Sequence, residues 1–218
     1  MNVYAFIQEN LSKTLFLTWE HIWLVGLSLA IAMAIGVPAG IFITRNKELA
    51  YKVLNSANII MTVPSIALFG LMLPILAVVG HGLGKVPAVI ALVLYSLLPI
   101  IRNTYIAIKN VDPALVDAGK GMGMSKWRLL SQVEIPLAIP IILAGLKTAA
   151  VMNIGIAAIA AYVGAGGLGV FIQQGIARSH ESMVITGALA VSVLAIVVDL
   201  SMSFLEKAVT PKGLKIQG

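Results

Sequence analysis

Lys147 and Asp199 are the only full charges that fall well inside stretches otherwise apolar enough to cross a membrane. Holding a charge at the centre of a bilayer is unfavourable by about 2.5 kcal/mol or more, so neither side chain is expected to face lipid. Their segments run in opposite directions and bring both toward the same end, which makes an ion pair geometrically available. Such a pair acts either as a latch that opens during a working cycle or as a static contact; a lysine that snorkels while the aspartate meets backbone groups is a third arrangement. His21, His81 and His180 are far apart and have no Cys, Asp or Glu at metal-ligand spacing, so they are expected as solvated side chains near the interface, with no metal site. Gly164, Gly166 and Gly169 satisfy G-x-G-x-x-G, but a dinucleotide fingerprint needs a preceding strand and a βαβ unit, and this run follows an apolar span. Together with Gly167 it is expected to let the chain turn tightly or re-enter. There is no Walker A motif, no nucleophile elbow and no paired carboxylates. No catalytic residues and no cofactor of its own are therefore expected: the chain is not an enzyme.

The elements that position these residues follow from composition. The chain has 218 residues, 59% hydrophobic and 11% charged, and a mean hydropathy of +0.98. That is too little polar surface for a water-soluble globule. The absence of cysteine excludes disulfides, iron–sulfur clusters and thiol chemistry. A hydrocarbon core of about 30 Å takes about 20 helical residues. By that measure five segments span, at about 22–43, 57–79, 86–108, 137–161 and 183–205, giving an all-α polytopic membrane protein with a single transmembrane domain over 1–218. Pro38, Pro64, Pro74 and Pro99 interrupt these segments, each removing a backbone donor. They serve as hinges in a moving pathway or as static kinks. No cleavable signal peptide is expected, because the first dozen residues lack a basic region. Tyr4, Ile7, Leu11 and Leu15 recur at helical steps and suggest a short amphipathic helix over 4–18 at the interface.

A polar insert at about 112–136 separates the third and fourth segments. Asp112 and Pro113 open a helix as N-cap and first-turn residue. Gly121 and Gly123 stop it, and Ser125 caps a second short helix through Lys126, Trp127 and Arg128. The outcome is a compact helix–turn–helix knuckle. Its small residues, Ala118, Gly119, Gly121 and Gly123, allow a partner's backbone to approach, and Met122, Met124 and Trp127 offer adaptable apolar surface. A short amphipathic helix of no special role is the plainer alternative.

Lys and Arg are unevenly distributed. Eleven lie in the 44–56 loop, in 102–135 and in the tail (Lys207, Lys212, Lys215), against three (Lys13, Lys85, Arg178) on the other side. Positive residues mark the cytoplasmic side, so the knuckle and the C-terminus are expected inside and the N-terminus outside. The formal charge of +6 is thus explained by membrane topology, with no nucleic acid involved.

Asp117-Ala118-Gly119, three residues, Gly123, nine residues and Val133-x-Ile135-Pro136 resemble the "EAA" loop of bacterial ABC-importer permeases, E-A-A-x3-G-x9-I-x-L-P. Both spacings are kept; Asp replaces Glu, Gly the second Ala, Val the Ile and Ile the Leu. Val63-Pro64-Ser65-Ile66-Ala67, Arg102-Asn103-Thr104 and Ala161 through Gly169 extend the likeness to the permeases of osmoprotectant importers, which carry glycine betaine, carnitine, choline and related quaternary amines. Methionine-type permeases share the five-span plan, so an importer of methionine or another small solute is the alternative within the class. An ATP-independent channel or scaffold is the alternative outside it.

The resemblance implies a type I permease of the bacterial inner membrane. Its knuckle, with Asp117, Ala118, Gly119, Met122, Gly123, Trp127, Ile135 and Pro136, would dock on cytoplasmic ATPase subunits that hold ATP and Mg. It also implies a second permease, identical or similar, and an extracellular binding protein, and it places Gly164, Gly166, Gly167 and Gly169 near an outer gate. Asn153 and Tyr162, with Asn58, Ser65 and Ser96, line a pathway or satisfy kinked backbone. Quaternary ammonium recognition uses clustered aromatic faces, and the 14 aromatic residues here are scattered, so selection is expected to lie in the binding protein.

Overall fold

A computed structural model describes residues 3–210. Lys212 and Lys215 of the basic tail lie outside the described residues. Among those described there is no strand; the order is α1 Val3–Glu9, α2 Leu11–Ile43, α3 Lys47–Thr62, α4 Ser65–Ala77, α5 Lys85–Lys109, α6 Pro113–Gly121, α7 Lys126–Leu129, a π-turn Leu130–Glu134, α8 Ile135–Ile159, a 3₁₀ turn Ala160–Val163, α9 Gly169–Ala177 and α10 Glu181–Val209. Among the described residues four helical stretches are long and apolar enough to cross a membrane, and the bent pair α3–α4, taken as one span, makes a fifth.

Two segments differ from expectation. The first helix does not begin near residue 22: α2 is one rod of 33 residues, about 50 Å long and longer than the hydrocarbon core. Along its polar start the Thr14 and Thr18 hydroxyls donate to carbonyls one turn back, which satisfies them within the helix. The expected amphipathic helix over 4–18 is split at Asn10. Phe6 and Leu17 are buried with Leu168, Phe171 and Met183, so this end is docked on the bundle, with Phe6 edge-on to Phe171. The expected span 57–79 is likewise not one rod, because α3 and α4 meet at 97°. Proline disfavours helical backbone at the residue before it, and Val63, preceding Pro64, is extended (φ −67°, ψ 127°). The Tyr95 hydroxyl donates to the Val63 carbonyl at the break. Pro38, Pro74 and Pro99 are instead carried inside α2, α4 and α5.

The centre of the bundle is α5, held between α2 and α8. Close approach on both sides requires glycine. A β-carbon on Gly40 of α2 would stand 2.6 Å from Thr104 Cβ, and one on Gly145 of α8 would stand 2.8 Å from the Pro99 carbonyl oxygen. Polar bonds join the same pair of helices, with Asn153 Nδ2 donating to Ser96 Oγ (2.7 Å) and to the Leu92 carbonyl (3.2 Å). Around this seam Leu24, Phe69, Leu92 and Ile154 are buried together. Tight backbone contact plus fully desolvated polar bonds makes α2, α5 and α8 one mechanical unit.

Candidate functional site

The knuckle joins the ends of α5 and α8. Asp112 accepts the Ala114 N–H at 2.8 Å and Pro113 fills the first helical position, where no donor is needed. The helix ends in a Schellman arrangement. Met124 N–H donates to the Gly119 carbonyl at 3.1 Å and Gly123 N–H to the Lys120 carbonyl at 2.9 Å, which places Gly123 in the left-handed region at φ +76°. Ser125 Oγ then accepts the Arg128 N–H at 3.3 Å and opens α7. Gly119 is buried against α7: a β-carbon there would reach 2.6 Å from Leu129 Cδ1. Because Leu129 Cδ1 is the end of a flexible side chain, the alanine that the related pattern has here would fit after a small shift of that side chain.

This packing sorts the knuckle's side chains into two sets. Leu129 and Leu130 point inward, while Met122 and Trp127 are 73% and 71% exposed. Asp117 and Lys120 form an exposed pair at 2.9 Å, beside exposed Ala118. The tip therefore presents two large apolar side chains, one a tryptophan, ringed by charge, the composition of a protein-docking surface. Ile135 packs, partly buried, on Ala107, Ile108 and Ala138. The π-turn brings the chain into α8 through the Ile135 N–H to the Leu130 carbonyl, and Pro136, which has no N–H, follows directly.

The glycine run lies at the opposite end of the bundle. Gly164, Gly166 and Gly167 all have positive φ, and the loop wraps α2. Gly167 N–H donates to Glu20 Oε2 and Leu168 N–H to His21 Nδ1, each at 3.3 Å. His21 Nε2 lies 3.1 Å from the Ile154 carbonyl. Since Nδ1 accepts, Nε2 carries the proton and donates. Gly169 sits where a β-carbon would be 1.9 Å from the Ala158 carbonyl oxygen. His21, expected to be solvated, is fully buried, and His180 accepts the Met183 N–H as the cap of α10. Only His81 is exposed. Sequence spacing gave no sign of the His21 site, whose partners are 133 and 147 residues away; no local pattern encodes it.

The structure brings Lys147 and Asp199 together at 3.0 Å, with Lys147 Nζ also donating to Ser203 Oγ at 2.8 Å. The bond ties α8 to α10. Asn153 is buried in the α5–α8 seam and has no exposed surface, whereas Tyr162 is half exposed on a recess it shares with Gln173 and Gln174. Asn58 is exposed and Ser96 buried. No group of His, Asp or Glu suited to a metal occurs among the described residues.

A helical bundle with five spans and a capped, apolar-tipped knuckle between two of them defines a membrane transport subunit of the ABC-importer type. The chain belongs to the family of binding-protein-dependent transport system inner membrane components, which it matches over residues 32–211. It is 49% identical to the osmoprotectant import permease protein OsmW of Salmonella typhimurium, over 99% of this chain and 100% of that one. It is also 42% identical to the glycine betaine/carnitine/choline transport system permease protein OpuCB of Bacillus subtilis, over 97% and 95%. Its fold matches a chain of the MetNI methionine ABC transporter in an inward-facing conformation, with a TM-score of 0.82, 24% identity, and coverage of 94% of this chain and 98% of that one.

Proposed function

We propose that this chain is the permease through which quaternary-amine osmoprotectants such as glycine betaine, carnitine and choline enter the cell, delivered by an extracellular binding protein. The observation that carries the cargo assignment is the 49% identity along the full length of an osmoprotectant import permease. The likeness to the methionine transporter, at 24% identity, speaks for the fold alone.

In this reading the chain holds no nucleotide. ATP and Mg sit on partner ATPase subunits, and ATP-driven closure of those subunits moves the knuckle. The motion enters α5 and α8 at Lys109 and Ile135, the two ends that flank the knuckle. Because Gly145 and Asn153 lock α8 to α5, and Gly40 locks α2 to α5, the three helices rock as a body. Two such bodies, from two permease copies, would enclose the passage, opening it alternately outward and inward. The knuckle faces the cytoplasm and the N-terminus the exterior, as the eleven-to-three division of basic residues supports. Cargo selectivity rests chiefly with the binding protein.

Uptake of labelled glycine betaine, carnitine, choline and methionine, measured with the cognate ATPase and binding protein, tests the proposal. Transport of at least one quaternary amine, inhibited by the others and not by methionine, is expected. Transport of methionine alone would contradict it.

A further inference from the structure

The knuckle and the ends of α2 and α5 enclose a cavity of about 390 Å³. Four cations line it: Arg45, Lys109, Lys120 and Lys126, against the carboxylates of Asp117 and Glu134. Asp117 is already engaged by Lys120. Among the described residues, Arg45, Lys109 and Lys126 have no ion-pair partner, and with the unpaired Glu134 counted against them the lining keeps a net charge of +2. Beneath them the wall is apolar, formed by Ile41, Ile108 and Leu130.

The depth of these groups matters. Arg45 lies two residues past the end of α2, and Lys109 is the last residue of α5. Both helices are long and apolar enough to cross the membrane, so with the knuckle on the cytoplasmic side Arg45 and Lys109 fall toward the inner headgroup layer, with Ile41 and Ile108 on the hydrocarbon side. Cations at headgroup depth above an apolar floor match an amphiphile with an anionic phosphodiester, and a freely diffusing anion would gain nothing from the floor.

We propose that this cavity binds the headgroup of an anionic glycerophospholipid, which braces the knuckle against the inner ends of α2 and α5. The inference rests on the knuckle lying on the cytoplasmic side, but its test reads lipid retention and needs no transport. A failed transport assay therefore leaves it standing, and a failed lipid assay leaves the transport reading untouched.

The experiment is native mass spectrometry of the purified transporter, with its ATPase subunits, in mixed micelles of phosphatidylglycerol and phosphatidylcholine. The wild-type complex retains phosphatidylglycerol in preference to phosphatidylcholine. The triple variant Arg45→Gln, Lys109→Gln, Lys126→Gln loses that retention by about tenfold or more. The control Lys47→Gln with Lys52→Gln, which removes neighbouring charge outside the cavity, keeps it. If the triple variant does not elute as a folded complex, Arg45→Glu alone and Lys126→Glu alone are read in the same way. Undiminished retention in the cavity variants overturns the proposal, as does equal loss in the control. Complete displacement by excess inorganic phosphate would make this a free-anion site, and retention only in the absence of the ATPase would make it an ATPase contact; either result overturns the lipid assignment.

Discussion

Glu20 is bonded to Gly167 across the glycine-loop end of the bundle: its Oε2 accepts the Gly167 N–H at 3.3 Å while its Oε1 lies 2.9 Å from Lys85 Nζ. One carboxylate thus holds a loop and the start of α5 against α2. Lys85 is half exposed and also stands over the Trp23 ring, so its ion pair contributes under about 1 kcal/mol. Capture of the loop amide matters more, because losing the acceptor strands a part-buried donor at about 1–3 kcal/mol. Glu20→Gln, which keeps an acceptor, should lower the thermal midpoint in detergent only slightly, and Glu20→Ala distinctly more. Equal midpoints for the two variants would mean that the loop bond contributes nothing.

Gly169 and Gly121 make opposite predictions for the same substitution. At Gly169 the added methyl would collide with a backbone oxygen at 1.9 Å, and backbone cannot step aside as a side-chain tip can. Gly169→Ala should destabilise by about 3 kcal/mol and reduce the yield of folded protein. At Gly121, helical and open on that side, Gly121→Ala should be neutral or stabilising by up to about 1 kcal/mol. Size-exclusion profiles and thermal midpoints of the two variants check this, and a well-folded Gly169→Ala would refute the packing described.

Reversing the charges of Lys147 and Asp199 tests the α8–α10 tie. Lys147→Asp or Asp199→Lys alone leaves like charges side by side and should destabilise by about 1 kcal/mol, since the two side chains are 29% and 42% exposed. The double swap should recover most of that loss. A double variant no better than the single ones would show that the 3.0 Å contact contributes no stability.

Much of this was legible from residues alone, and the boundary has a physical cause. Helix starts and stops are local chemistry, so Asp112, Pro113, Gly123 and Ser125 announce the knuckle, and each occupies the expected position. Apolar length reveals spans because lipid imposes one thickness on all of them. It does not reveal where a span breaks. Four prolines looked equivalent in sequence, yet only at Pro64 does the chain turn by 97°, where the Tyr95 hydroxyl of another helix donates to the carbonyl of extended Val63. Burial of His21 was hidden for the same reason: a histidine near a span end reads as interfacial until a distant loop folds over it.

Gly123 offers a graded test of the knuckle's shape. Its φ of +76° disfavours a β-carbon by about 1–2 kcal/mol, with Asn tolerated best among other residues and branched side chains worst. Uptake should fall in the order wild type, Gly123→Asn, Gly123→Val, while membrane insertion stays constant. Asp117→Lys, which sets two like charges at the exposed tip beside Lys120, should also insert normally and lose uptake. Full transport by both Gly123→Val and Asp117→Lys would remove the knuckle from the coupling path.

Contact between the apolar tip of the knuckle and a cytoplasmic ATPase can be read out by placing one thiol there. The chain contains no cysteine, so Met122→Cys, at an exposed position, carries a unique label site. In sealed cells a membrane-impermeant maleimide should fail to react, in inverted vesicles it should react, and a short bifunctional cross-linker should join this site to the ATPase subunit. Labelling from outside intact cells, or a knuckle that never cross-links to the ATPase in an actively transporting preparation, would rule that contact out.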